Sequence, residues 1–199
     1  MRSLLLLFLL AFSTAGCPPV DSEDPPEEEE VLPPSPIVWE VCSQIVGDHP
    51  CNLTLLDQNG DVFDLYEHYG DFIVLDFSTM WCGPCQRAGA ESQATHDFYK
   101  NLLIPEENFV YVTVIIENLD RDPPTPEDIQ DWVTYFNVTT SPVLLGSRDL
   151  LGQETVAWPL TGWPTFYFID DELVLQNIVR GYSEESLNYF IEELLNLEL

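Results

Sequence analysis

The residues best equipped for chemistry are the run Trp81-Cys82-Gly83-Pro84-Cys85. Two cysteines two residues apart can close a small disulfide. At a helix start the first thiolate is stabilised by main-chain N–H groups and by the positive end of the helix dipole. A thiol whose pKa is lowered in this way is a nucleophile near neutral pH. Gly83 allows the tight approach, and Pro84 pre-sets the first helical turn at no hydrogen-bond cost. The chemistry these types suggest is thiol–disulfide exchange, in which Cys82 attacks and Cys85 resolves. Half a zinc site is the first competing reading, but no second Cys pair lies downstream and the three His are scattered. An inert structural disulfide is the second, and a position between an apolar run and a helical stretch argues against it. Neither a metal nor a cofactor is called for.

The elements that must hold this motif are legible on both sides. Phe72 to Phe77 (FIVLDF) is a short apolar run with β-branched residues, expected to be a buried strand. From Cys82 to about Lys100 there is neither a further Pro nor a strand pattern, which predicts a helix. Phe109 to Ile116 (FVYVTVII) is the clearest strand. Thr125 is placed to cap a second helix, with Pro126 in its first position and Ile129, Trp132, Val133 and Phe136 at helical spacing. Short strands fit Val143–Leu145, Thr165–Ile169 and Val174–Arg180. Ser183 caps a last helix with Leu187, Phe190, Ile191, Leu194 and Leu195 on one face. Residues 53–65 alternate around Asn59-Gly60, a hairpin signal. Strands alternating with helices imply an α/β sheet with a hairpin at its start and its end.

The N-terminus reads as an address. Residues 1–16 (MRSLLLLFLLAFSTAG) join one Arg, a short apolar run and small residues, the shape of a secretory signal peptide. The run is too short for a transmembrane helix of about 20 residues. Thr14-Ala15-Gly16-Cys17 resembles a bacterial lipobox, apart from Thr14 where an aliphatic residue is usual. It points to lipidation of Cys17, whereas ordinary signal cleavage would leave that Cys free or paired. Residues 18–36 hold seven Pro, seven acids and no base, and with Cys17 they are expected to form a disordered, extended stalk over 17–36. Residues 37–199 are then the folded domain. Its Cys42 and Cys51, closely spaced in an oxidising compartment, are expected to form a structural disulfide, with a second redox pair as the alternative. His49 and Cys51 alone make a poor metal site. Asn52-Leu53-Thr54 and Asn137-Val138-Thr139 match glycosylation sequons, which carry little meaning in a bacterial lipoprotein.

Composition narrows the partners. The 199 residues carry 35 Asp plus Glu against 6 Lys plus Arg, a net charge of −29. Nucleic-acid binding and docking on anionic lipid through a basic patch are both disfavoured. Hydrophobic residues at 45% are too many for a wholly disordered acidic chain. Only seven of the acids fall in the stalk, so the domain itself is acidic.

Family resemblance adds to this reading. The Trp81–Cys85 run is similar to the active site of thioredoxin. Roughly residues 40–199 resemble the extracytoplasmic, membrane-tethered thioredoxin-like reductases of the TlpA/ResA type. Gly162-Trp163-Pro164-Thr165, leading into Phe166–Asp170, is similar to that family's cis-proline loop and the strand after it. The resemblance implies a thioredoxin fold, a central mixed sheet flanked by helices, with an N-terminal β-hairpin extension and a helix-containing insertion around 117–162. It implies that the loop of Trp163, Pro164 and Thr165 faces the dithiol and offers backbone groups to an extended substrate. Asp76, six residues before Cys82, matches thioredoxin's buried acid and would move a proton to or from Cys85; the alternative is a satisfied strand-end Asp. Trp81 and Trp163 would be apolar platforms, or else core. Gly83 and Pro84 would lie in the substrate contact. Two departures bear on redox potential and partner choice. Ser78 stands where thioredoxin has Trp, and Ala88 and Ala90 replace the Glu-x-Pro of many TlpA-type helices.

The function so implied is that of an extracytoplasmic protein disulfide oxidoreductase, lipid-anchored in the periplasm or at the cell surface. The Gly-Pro dipeptide resembles that of strong reductants, about −270 mV for thioredoxin against about −120 mV for DsbA, which favours reduction. Its partners would be disulfide-containing proteins, with apocytochrome c among the candidates, and a membrane thiol–disulfide relay supplying electrons. A non-catalytic binding module and a thiol-dependent peroxidase are the competing functions.

Overall fold

The structure is a computed structural model that describes residues 39, 41–104, 108–151 and 158–197. The residues read as signal peptide and stalk, Cys17 among them, lie outside the described residues.

The frame is a five-stranded mixed sheet. Its centre, β3 (Asp71–Ser78), is buried from Ile73 onward on both faces, as an inner strand covered on both sides must be. β4 (Asn108–Ile115) pairs parallel with it, and β6 (Thr165–Ile169) antiparallel on the other side. β5 (Val143–Leu145) lies parallel to β4 at one edge and β7 (Leu175–Arg180) antiparallel to β6 at the other. The order is β5-β4-β3-β6-β7.

Three helices follow the expected signals. α1 (Gly83–Leu102) leaves the end of β3, and α3 (Glu184–Leu194) starts at its Ser183 cap. Together they cover one sheet face, where Val74, Tyr111 and Phe166 meet Ala88, Leu187 and Ile191. α2 (Pro126–Phe136) begins at a capping box in which Thr125 and Asp128 each bond the other's main chain. Ile129 and Trp132 are its buried residues. The opposite sheet face packs Leu75, Phe77, Val112 and Tyr167 against Trp158, Phe63 and Leu65.

The structure fills in two expected features. The opening hairpin, β1 (Thr54–Leu56) with β2 (Val62–Asp64), is the expected extension and forms a two-stranded sheet of its own. Asp64 ends β2 by accepting the Tyr66 N–H and capping a 3-10 turn, so the chain turns away before β3 begins. The insertion around 117–162 holds the expected helix and the expected short strand at Val143–Leu145. It delivers β5, an integral edge strand, through a parallel crossover that uses α2. Strand limits shift by a residue or so, β7 starting at Leu175 beside an irregular pairing at Phe168/Ile169.

Cys42 and Cys51 are joined by a disulfide. The loop it closes is tied to the start of β7, with the Gly47 N–H donating to Leu175 O and the Leu175 N–H to Asp48 O. His49 stacks on Trp39, 4.2 Å between centroids, and its Nδ1 lies 2.9 Å from Leu173 O. These contacts give His49 a packing role in holding the N-terminal segment down.

Candidate active site

β3 runs directly into the dithiol turn. Cys82 is the N-cap of α1, and its Sγ accepts the Cys85 N–H at 3.3 Å. The sulfur therefore sits where a helix start stabilises negative charge. Gly83 and Pro84 fill the first turn, and the Gln86 N–H donates to Cys82 O at 3.0 Å. The two sulfurs are bonded, with Cα atoms 5.2 Å apart. Cys85 is wholly buried and Cys82 is 6% exposed. Approach is thus confined to Cys82, through a narrower opening than an exposed first sulfur would have.

Asp76 is completely buried near the end of the same strand. Ser78 Oγ donates to its Oδ1 at 2.6 Å and the Tyr111 hydroxyl to its Oδ2 at 3.0 Å. Burial drives its pKa up to about 7, against the pull of those two donors, which favour the carboxylate. Tyr111 is itself pushed well above the usual tyrosine value by burial and then by the adjoining Asp76 charge. It remains a neutral donor. Ser78, where thioredoxin has Trp, is thus a direct partner of the acid.

Trp81 is half-buried, and its indole N–H donates to Glu117 Oε2 at 2.8 Å. Glu117, only 2% exposed, also receives Nε of Arg148, and its main-chain O accepts the Met80 N–H. Burial pushes the Glu117 carboxyl up. Hydrogen bonds from Arg148 and Trp81, with the charges of Arg148 and Arg121, outweigh that and hold it below the ordinary value. Arg121 lies over the Trp81 ring, 4.4 Å from its centroid. Trp81 is in this way clamped between an anion at its edge and a cation on its face.

The Trp163–Pro164 bond is cis. The pairing of Thr165 with Phe77 sets this loop beside the turn that leads to Cys82. Thr165 Oγ1 donates to Gly162 O at 2.7 Å, closing the loop on itself. Pro164 is buried, and its carbonyl accepts the Gly181 N–H at 2.8 Å. Half-buried Trp163 packs both on the main core and on the apolar cluster that contains Cys82 and Cys85. Each Trp is therefore partly platform and partly core. Cys42 and Cys51 stand apart from this group, because their loop is tied to Leu175, opposite Ile169 at the other end of β6.

Tyr111 and Glu117 were not among the residues the sequence singled out. Each left a trace. Tyr111 and Thr113 are the only hydroxyl-bearing residues in an otherwise apolar run and share one face of it, and Glu117 is the first acid after that run.

No family model matches the sequence, and no curated protein matches it. Solved structures do resemble the fold. A thiol:disulfide interchange protein from Bacteroides sp. superposes with a TM-score of 0.60 at 16% identity, over 76% of this chain and 91% of that one. The thioredoxin domain of a thiol-disulfide oxidoreductase from Bacteroides vulgatus gives 0.59 at 17% identity, over 76% and 98%. The exposed lipoprotein thioredoxin of Streptococcus pneumoniae gives 0.57 at 21% identity, over 73% and 99%. The chain has the thioredoxin fold, with the five-stranded mixed sheet flanked by helices.

Proposed function

We propose that the protein is an extracytoplasmic thiol–disulfide oxidoreductase that reduces disulfides in protein substrates through Cys82 and Cys85. The observation that carries this reading is the placing of Cys82 at the N-cap of α1, its sulfur accepting the Cys85 N–H, while Cys85 is sealed behind it. The Cys82 thiolate attacks one sulfur of the substrate disulfide, forming a mixed disulfide and expelling the other sulfur as thiolate. Cys85 gives up its proton and attacks Cys82, which releases the reduced substrate and leaves the Cys82–Cys85 disulfide. Two electrons and two protons pass to the substrate, and a dithiol donor must return them.

Asp76, with a pKa near neutrality, serves as proton acceptor for Cys85 in this reading. Trp81, Trp163, Gly83, Pro84 and the cis-Pro164 loop form the surface that meets substrate. Because the Pro164 carbonyl is taken by Gly181, the main-chain groups offered to substrate fall to Trp163. The names of the similar solved proteins point to the same chemistry. A lipid on Cys17 and the acidic stalk would hold the domain off a membrane, as a lipoprotein fed by a membrane thiol relay.

The deciding experiment is reduction of insulin disulfides by the wild type and by two variants. Cys82→Ser should abolish turnover, and Cys85→Ser should accumulate mixed disulfides that a non-reducing gel resolves. Undiminished turnover by Cys82→Ser would remove it as the nucleophile.

A further inference from the structure

A groove of about 460 Å³ opens between the start of α1 and α2, beside the dithiol. Met80, two residues before Cys82, forms one wall together with Gln86, whose main-chain N–H bonds Cys82 O. Trp132, Tyr135 and Phe136 of α2 and Leu119 of the preceding loop supply the apolar remainder. Met80, Cys82 and Trp132 belong to one apolar cluster, so the groove wall is packed into the same cluster as the nucleophile.

Two of the lining residues are large and apolar yet left in water, Leu119 being 64% exposed and Tyr135 81%. Apolar surface of this kind, rimmed by polar groups and next to a reacting atom, is characteristic of a contact site. Charge settles what fits. The lining includes Asp128 and Asp131 and no base. Asp128 is committed to the capping box, whereas Asp131 is exposed on the rim. The nearby cation, Arg121, is laid over Trp81 and flanked in sequence by Asp120 and Asp122. The chain as a whole carries −29.

We infer that this groove docks the polypeptide flanking a substrate's disulfide, and that it selects an apolar side chain followed by Lys or Arg. The inference rests on the oxidoreductase reading above and specifies its substrate class. The apolar side chain fills the space between Met80, Leu119 and Tyr135, and the cation meets Asp131 at the rim. Opposite charge across such a rim steers encounter and discriminates among partners.

The test uses the full chain, a dithiol reductant, and three cyclic peptides with the same disulfide and different flanks: apolar–Lys, apolar–Glu and Gly–Ser. A small aromatic disulfide, too short to reach the groove, is the control substrate. The wild type should show kcat/KM about 10-fold higher for apolar–Lys than for Gly–Ser, the scale of filling one apolar pocket, and about 2- to 5-fold higher than for apolar–Glu, the scale of one exposed charge pair. The margin over apolar–Glu should shrink as salt rises to about 0.5 M, where exposed charges are screened. Leu119→Ser with Tyr135→Ser, both solvent-exposed and so compatible with folding, should remove the preference over Gly–Ser and leave the control rate unchanged. Asp131→Lys should invert the Lys-over-Glu order. A wild type without preference, or a double variant that keeps it, overturns the groove while control turnover stands. Loss of control turnover in the wild type would instead overturn the oxidoreductase reading, and this inference with it.

Discussion

Asp76 is held by opposing demands. Complete burial penalises its charge, while the Ser78 and Tyr111 hydroxyls both donate to it and favour that charge. The balance, a pKa of about 7, keeps comparable amounts of acid and carboxylate near neutrality, which suits the proton-acceptor role proposed for it. It also has a stability consequence. The folded pKa is raised above the ordinary 3.8, so between those values the folded state binds a proton that the unfolded chain has lost. Stability from this group is fully present below about 4 and declines as pH rises to about 7. Asp76→Asn lacks the titration. Urea denaturation should find it close to wild type at acid pH and more stable by a few kcal/mol, to order of magnitude, above neutrality. Turnover should move the other way. Resolution by Cys85 should slow by up to about 10²–10⁴-fold, most visibly near neutral pH, in single-turnover kinetics with a peptide disulfide. Equal rates across the pH range would reduce Asp76 to a strand residue with no part in the chemistry.

At the scale of elements, the contact that places α2 against the dithiol helix depends on one missing side chain. Gly89 lies buried inside α1, where helix propensity alone would favour Ala by about 0.5–1 kcal/mol. Packing reverses that sign. A Cβ there would come 2.4 Å from Trp132 Cζ2 and 3.2 Å from Phe136 Cδ2, and Trp132 is only 2% exposed. Relief requires the Trp132 ring or α2 itself to shift. Gly89→Ala should therefore destabilise by about 1–3 kcal/mol in urea or thermal unfolding, with the intrinsic propensity gain submerged. An unchanged or higher midpoint would show that the two helices are not closely seated. Because Trp132 and Phe136 also line the groove, the same variant should alter peptide selection before it alters reduction of small disulfides.

For the whole molecule the dominant feature is charge. Twenty-nine net negative charges on 199 residues oppose self-association and approach to anionic lipid. No helix among the described residues is long and apolar enough to cross a membrane, and the tether proposed above is a lipid on Cys17. If Cys17 carries that tether, Cys17→Ala should shift the protein from a detergent-requiring fraction to a soluble one, read by fractionation and immunoblotting. A single acyl chain binds only marginally, so the multiple chains of a lipoprotein Cys are what the experiment detects. Unchanged membrane association of the variant would rule out lipidation as the anchor.

The sequence by itself determined what depends on neighbours along the chain. The order of Cys82 and Cys85, the caps at Thr125 and Ser183, the faces of α2 and α3 and the Asn59-Gly60 turn are all local, resting on helical or alternating periodicity and on turn chemistry within a few residues. Tertiary structure decided everything that joins distant segments. Tyr111 reaches Asp76 across 35 residues and Glu117 reaches Trp81 across 36. β5 joins the sheet as an edge strand, the opening hairpin stays outside it, and Gly89 owes its identity to Trp132. The physical reason is that periodicity tells which face of an element is buried and says nothing about which element covers it. Partners of a buried carboxyl or indole are set by strand order and register, and these are fixed only when the sheet assembles.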